Sequence, residues 1–340
     1  MENTVNQRLR ESLSDRRQAI LSWLRQTPDD KKQTRTGPAG GEVVEDELHL
    51  LDEALNKAEE NTLGLCTVCH DYVDTSRLEM DFTACVCIEH LSAEVKSRLE
   101  NDLELSQKVQ RALLPHEVPK IRGLEIAAFS QPAHIVGGDY FDFLRFRDGS
   151  HGIVIADVQG KGMPASLLMA SFQASLRIIV PEASSPAQVM ERLNVLFRHN
   201  IRLTKFVTVF LARYDEQSGE LSYCNSGHNP PMLARADGTT ALLRPTAAAI
   251  GLAEQTRFAN TSVRLESGDR LLLYTDGVVE ARNSVAEEFG EQGLQDVLRN
   301  AAGFSSPGHV AALKDALRAY TGTTVPADDT TVIAIRMISR

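Results

Sequence analysis

The sequence lacks a convincing membrane span. Its most apolar stretch, "LLMASFQASLRIIV" at 167–180, is short and carries Arg177. It lacks a basic excess as well. Lys and Arg total 36 against 46 Asp and Glu, a net charge of −10, which argues against nucleic acid as the main ligand. The opening "MENTVNQRLRESLSDRR" has no apolar core, so no secretory signal is read and the expected compartment is the cytoplasm. A phosphate-cradling P-loop is missing too. In "VQGKGMPAS" the upstream glycine is absent and Lys161 is followed by Gly162, not Ser or Thr. Cysteine is scarce, five in 340 residues, and four of the five fall between 66 and 87. In a reducing compartment that clustering points to metal rather than disulfides.

Hydrophobic content of 42% and charged content of 24% are those of an ordinary globular protein, with length for one large domain and a smaller one. Residues 1–63 read as a helical region. Val5, Leu9, Leu13, Ile20 and Leu24 share one helix face; Val44, Leu48, Leu51, Leu55 and Ala58 follow heptad spacing on a second. The polar, breaker-rich segment near 27–43 reads as a flexible loop between them. The two helices either pair as a hairpin or pack separately on something else. A cysteine-bearing module follows at 64–91. A linker helix at 92–115 carries Val95, Leu99, Leu103, Val109 and Leu113 on one stripe and stops at Pro115; a dimer through it is one expectation.

From 116 to 340 the pattern changes to short strand-like runs: "LEIAAFSQ", "YFDFLRF", "HGIVIAD", "FVTVFLARYD", "ELSYCN", "RLLLYTD" and "TVIAIRM". Helical patterns lie at 164–180, 187–200, 290–301 and 307–320. The strands come in adjacent groups, which favours antiparallel pairing and an α+β layered domain.

Four of these apolar segments carry an aspartate at one end beside glycine or another small residue. They are Asp139 after a Gly-Gly pair, Asp157, Asp276 before Gly277, and Asp328-Asp329. A single such aspartate is ordinarily a turn former or cap. Four at strand ends of one domain can converge, and two carboxylates about 4 Å apart repel by roughly 4 kcal/mol at an effective dielectric near 20. No Lys or Arg is read beside each of them, so cations are expected to neutralise them. Oxygen-only ligands select hard ions, Mg²⁺ or Mn²⁺, and two such ions suit phosphate chemistry.

The ordered set "GGDYFDF", "IADVQGKGMPASLLMA", "FVTVFLARYD", "NSGHNPPML", "YTDGVVEARN" and "DDTTVIAI" resembles the SpoIIE/RsbU branch of the metal-dependent, type 2C-like protein phosphatases. The resemblance implies an α/β-β/α sandwich. It implies hydrolysis of phosphoserine or phosphothreonine on proteins by a water held between two Mn²⁺ or Mg²⁺ ions. It implies that Asp157 bridges the ions, that Asp139 and the Val158 backbone carbonyl hold one, and that Asp276 and Asp328 hold the other. Asp329 either ligates or only orients its loop. Asp142 reads as a strand or turn residue, His228 as part of a turn at the site edge, and Cys224 as core. The implied substrate is a phosphorylated partner-switching regulator, typically a STAS-type anti-sigma-factor antagonist. The helix at 164–180 and the stretch before "ALLP" resemble the elements through which an upstream region switches such enzymes on.

Cys66-x-x-Cys69 and Cys87-x-x-His90 are spaced as two chelating pairs suited to one tetrahedral Zn²⁺, with Cys85 and His70 as spare donors. The segment "LDEALNKAEENTLGLCTVCHDYVDTSRL" resembles the DksA/TraR zinc fingers, where cysteine is the usual fourth ligand. Free thiols without metal, and a thiolate centre that senses oxidation, are the other readings. Two competing functions follow: a catalytically weak phosphoprotein-binding regulator, and a transcription regulator that meets RNA polymerase through the cysteine module.

Overall fold

The computed structural model describes residues 2–26, 40–74, 78, 81–200, 206–253 and 256–338. It falls into two units, Met1–Asn101 and Asp102–Arg340.

In the first unit, α1 (Glu2–Gln26) and α2 (Gly40–Glu59) form the hairpin that was one of the two expected arrangements. Leu13, Leu51, Ala54, Ala58 and Leu63 make a buried seam, with Leu9, Ile20 and Leu55 against it. Arg10–Glu59 and Arg17–Asp52 ion pairs, 2.8 and 2.5 Å long, cross the exposed edge. The loop expected near 27–43 lies largely outside the described residues. Its last four, 40–43, are instead the first turn of α2, the Gly40-Gly41 pair standing at the helix start rather than in its interior. After the cysteine module, α3 (Ala93–Leu113) runs from the first unit into the second.

The second unit has two five-stranded sheets whose named strand pairs are all antiparallel. One, in the order β1-β10-β9-β6-β7, uses Leu124–Gln131, Thr330–Met337, Arg270–Tyr274, Met232–Ala234 and Thr240–Leu242. The other, β2-β3-β4-β5-β8, uses Tyr140–Arg145, His151–Val158, Val207–Tyr214, Glu220–Ser226 and Thr261–Arg264. Ile153, Ile155, Phe210 and Tyr214 of the second sheet pack between the layers with Leu271, Leu273, Ile333 and Ile335 of the first. The alternate residues point outward. Val154, Ala156 and Val158 meet α4 (Gly162–Ile179) and α5 (Pro186–Asn200) through Met169, Phe172, Leu176, Met190 and Leu193. On the opposite outer face, Leu272, Tyr274, Val332 and Ala334 meet Leu294 and Leu298 of α7 (Gly290–Asn300) and Leu313 of α8 (Ser306–Thr321). A four-residue helix, α6 (Asp276–Val279), precedes these two. Both faces of each sheet are covered, so the central strands read as unbroken apolar runs. The α/β-β/α sandwich expected from the sequence is the observed architecture.

The segment Gly162–Glu182 is long and apolar enough to pass for a membrane span by length and composition. In the structure it is a core helix: Ala165, Met169, Phe172 and Leu176 are fully buried, and Arg177 is paired with Asp142 at 3.1 Å.

Candidate metal centres

One end of the sandwich gathers the aspartates. Asp157 ends β3, and Asp139 immediately precedes the neighbouring β2; both belong to one sheet. Asp276 follows β9, and Asp328 and Asp329 precede β10, the neighbouring strand of the other sheet. The threonine Thr275 stitches the two together. Its hydroxyl donates to Asp139 Oδ2 at 2.8 Å and accepts from the Thr331 backbone N–H at 2.9 Å.

The glycines are there because backbone must come close. A Cβ on Gly138 would stand 2.7 Å from the Val158 carbonyl oxygen, and one on Gly277 would stand 2.2 Å from the Asp329 carbonyl oxygen. No larger residue fits either position without moving main chain.

The electrostatics record the crowding. Burial, then Asp276 and Asp328, push the Asp157 carboxyl up to about 7. Burial and then Asp328 push Asp276 up to about 6. Asp139 is raised well above the carboxylate range by burial first and Asp157 second. Its Oδ1 is buried with no hydrogen-bond partner, an orphaned acceptor that a cation would satisfy. These oxygens are hard donors with a backbone carbonyl beside them, and the set fits hard divalent ions. The aspartate oxygens do not crowd as tightly as the sulfur site below; among the described residues, only that site brings three or more candidate ligand atoms within 4.8 Å of one another.

The expectation that no Lys stands beside these aspartates is corrected by Lys161. Its ammonium lies 2.8 Å from Asp328 Oδ2 and donates to the Ala327 carbonyl at 3.2 Å. The reason is topological, since the turn after β3 faces the segment leading into β10. Asp329 performs an orienting task. Its Oδ1 accepts from Ala133 N–H at 2.8 Å and its Oδ2 from Gly138 N–H at 2.6 Å, which fixes the loop that carries Asp139. Asp142 turns away from the cluster, to Tyr140 (2.7 Å) and Arg177. His228 is buried, hydrogen-bonded to Thr208 through Nδ1 at 2.9 Å, and held neutral because burial drives its pKa down to about 3. Cys224 is fully buried and its thiol is raised by that burial, as befits a core residue.

Besides Lys161, two residues at this end escaped the sequence reading. Glu280 is one turn beyond Asp276, its backbone N–H bonded to the Asp276 carbonyl at 2.8 Å, and its charge acts on both Asp157 and Asp276. The four-residue spacing from Asp276 was a visible signal. Gln110 on α3 is buried and holds Gly137 at both ends. Nε2 donates to the Gly137 carbonyl at 2.6 Å, and Oε1 accepts from the Gly137 N–H at 3.1 Å. Nε2 also reaches Ser166 Oγ at 3.1 Å. Gln110 lies in the stretch before "ALLP" that resembles a switching element, though nothing local in the sequence singles out this glutamine from a solvated one.

The second centre is in the first unit. Cys66, Cys69, Cys87 and His90 bring their ligand atoms within 4.8 Å of one another. The Cys69 and Cys87 sulfurs are 3.7 Å apart, and the Cys66 sulfur is 3.7 Å from His90 Nδ1. Sulfurs at about 2.3 Å from one tetrahedral ion stand roughly 3.8 Å apart, so the spacing fits zinc. Main chain builds the knuckle: His70 N–H bonds the Cys66 carbonyl at 2.9 Å, with His70 in a left-handed turn, and Cys87 N–H points to the Cys66 sulfur at 3.3 Å. Cys85 is exposed and outside the quartet, as is His70, so the geometry selects Cys87 over Cys85.

The sequence model of the family Stage II sporulation protein E (SpoIIE) matches residues 147–338, more than half of the chain. The chain belongs to the SpoIIE family. Among curated relatives, Protein IcfG of Synechocystis is 29% identical over 274 residues, covering 72% of this chain and 43% of that protein. Phosphoserine phosphatase RsbU of Bacillus subtilis is 31% identical over 189 residues, 55% of this chain and 56% of RsbU. The chain thus spans about half the length of these relatives. Among solved structures, the SiaA-PP2C domain of Pseudomonas aeruginosa superposes with a TM-score of 0.63 at 21% identity, covering 72% of this chain and 99% of that domain, which establishes the shared fold. The SpoIIE match begins after the cysteine module, whose assignment therefore rests on its own geometry.

Proposed function

We propose that this SpoIIE-family chain is a metal-dependent protein serine/threonine phosphatase. The observation that carries the reading is the meeting of Asp139, Asp157, Asp276 and Asp328 from two sheets at one end of the sandwich, with Asp139 Oδ1 buried and unpartnered. Asp157 would bridge two Mn²⁺ or Mg²⁺ ions, Asp139 and the Val158 carbonyl serving one and Asp276 and Asp328 the other. Bound there, such ions lower the pKa of a water and hold phosphate oxygens. The chain's own part is to keep the carboxylates in place. Thr275 fixes Asp139, Asp329 fixes the Ala133–Gly138 loop, and Gln110 braces that loop from α3. His228, neutral and buried, is unsuited to donating a proton to the leaving seryl oxygen at physiological pH.

The substrate class that fits is a phosphoserine or phosphothreonine protein of a partner-switching system, a STAS-type antagonist in particular; similarity to the phosphoserine phosphatase RsbU supports the phosphoserine part. A structural Zn²⁺ on Cys66, Cys69, Cys87 and His90 would hold the cysteine module together. A second copy would pair through α3, where Val95, Leu99, Leu105 and Val109 are exposed.

The test is Mn²⁺-dependent release of phosphate from a phosphoserine STAS protein by the full chain. Activity is expected to require the ion and to fall roughly 10³-fold in Asp157→Asn and Asp276→Asn. Equal activity in those variants and the wild type would sink the metal site. Metal analysis of the purified chain is expected to find one zinc, lost in Cys87→Ser.

A further inference from the structure

The acidic end of the sandwich poses a charge problem that the metal ligands alone do not solve. Asp139, Asp157, Asp276, Asp328 and Asp329 converge there with Glu280 beside them. Two divalent ions neutralise four of these six carboxylates. A phosphoserine dianion would then approach a centre that is still negative, and like charge at short range is repulsive. Something cationic and mobile is needed at the mouth.

Among the described residues, Lys161 is held against this cluster. It stands between Gly160 and Gly162, both at positive φ (109° and 68°), directly ahead of α4. A side chain at Gly162 would meet nothing within 4 Å, so the turn is open on that side. The ammonium is half exposed and reaches across to Asp328 Oδ2 at 2.8 Å and the Ala327 carbonyl at 3.2 Å. Both partners belong to the segment that leads into β10. An ion taking Asp328 leaves that ammonium with a shared, already neutralised carboxylate, and its four-carbon stem lets the head group turn to another anion. The adjoining N-terminus of α4 favours negative charge in the same place.

We propose that Lys161 is a substrate-contact residue whose ammonium group binds the phosphoryl oxygens of the phosphoprotein. The inference rests on the phosphatase reading for the identity of that ligand. Lys161 does not hold the ions and takes no proton in the reaction; it supplies the positive charge that lets a dianion enter a carboxylate-lined site. Charge-assisted contacts to phosphate oxygens are worth enough to move affinity roughly tenfold.

The experiment compares the full-length wild type, Lys161→Met and Lys161→Arg. Inorganic phosphate binding to the Mg²⁺-loaded protein is followed by ³¹P NMR. Mg²⁺ binding is followed by calorimetry. KM and kcat are measured on a phosphoserine protein with Mn²⁺. Lys161→Met is expected to weaken phosphate about tenfold and to raise KM more than it lowers kcat, with Mg²⁺ binding within about twofold of wild type. Lys161→Arg is expected to recover most of the phosphate affinity. Wild-type phosphate affinity in Lys161→Met would overturn the proposal, as would a loss of phosphate binding fully accounted for by lost Mg²⁺. A wild type that binds phosphate through Lys161 yet releases none from any phosphoserine protein would uphold the contact and sink the phosphatase reading.

Discussion

The two candidate metal centres are built in opposite ways. The Cys66/Cys69/Cys87/His90 quartet is local: four candidate ligands within 25 residues, a tight main-chain knuckle at Cys66–His70, and atoms already at tetrahedral spacing. The aspartate centre is global. Its members span Asp139 to Asp328 and come from both sheets, so it exists only once the sandwich has closed. The first centre should therefore fold with its ion, and the second should fold without one and carry strain. That strain has a sign. The raised carboxyls of Asp157 and Asp276 mean that the folded chain holds more protons than the unfolded chain between about pH 4 and 7.

The largest expected effect tests this directly. Asp157→Asn should lower phosphate release roughly 10³-fold, because ion-based charge stabilisation is worth several kcal/mol. The same variant should unfold at an equal or higher temperature than the wild type when both are measured ion-free at pH 7. In the ion-free wild type the unfolding temperature should fall as pH rises from about 4 to 7, and Mn²⁺ should remove that slope. A slope of the opposite sign would mean that Asp157 and Asp276 are not crowded, and the contrast between the centres would collapse.

Next in size is the quartet. Cys87→Ser should abolish zinc binding and unfold residues 64–91, whereas Cys85→Ser should change neither zinc content nor the circular dichroism of the full chain. Structural zinc is worth roughly 10 kcal/mol or more to a small module, so no partial loss is expected. Equal zinc loss in both variants would show that the ligand set is wrong.

How much of each centre was legible follows from the same contrast. The quartet's ligand spacing lies in the sequence, leaving only Cys85 against Cys87 to geometry. The seven long strands were legible because apolar runs bounded by turns have few other uses. Met232–Ala234, Thr240–Leu242 and Thr261–Arg264 were not, being three or four residues long and stabilised by neighbours rather than by pattern. That the aspartates can converge was legible from their shared place at strand ends, but the role of each came from a family resemblance, since a strand end announces a carboxylate but not which other strand end it will face. Lys161 and Gln110 were missed for that reason. Each is an ordinary helix or turn residue until the fold brings Asp328 or Gly137 against it.

Gln110 offers a smaller but sharper test of the global centre. It sits on α3 and acts on the Asp139 loop through Gly137, so it positions rather than ligates. Gln110→Ala would leave the Gly137 carbonyl and N–H without their side-chain partner, at about 1–3 kcal/mol. The expected result is a 10- to 100-fold weaker Mn²⁺ requirement curve, the size seen when outer-shell partners of metal ligands are removed. Gln110→Glu, which keeps the acceptor for Gly137 N–H, should recover part of it. Unchanged Mn²⁺ affinity in Gln110→Ala would show that the loop is held by Asp329 alone.

The smallest effect is expected at Arg17, and its smallness matters. Arg17 and Asp52 pair at 2.5 Å across the α1–α2 hairpin, but both are 41–50% exposed, so solvent screens them. Arg17→Ala should cost at most about 1 kcal/mol, visible as a small drop in unfolding temperature that fades further in high salt. The hairpin is held instead by Leu13, Leu51 and Ala54, so Leu51→Ala should cost about 2–5 kcal/mol by leaving a cavity in that seam. Neither change touches a ligand of either centre. If Arg17→Ala were to lower zinc content or phosphate release as strongly as Cys87→Ser or Asp157→Asn, losses in those variants would have to be read as general unfolding, and the distinction between a locally built and a globally built metal centre would lose its support.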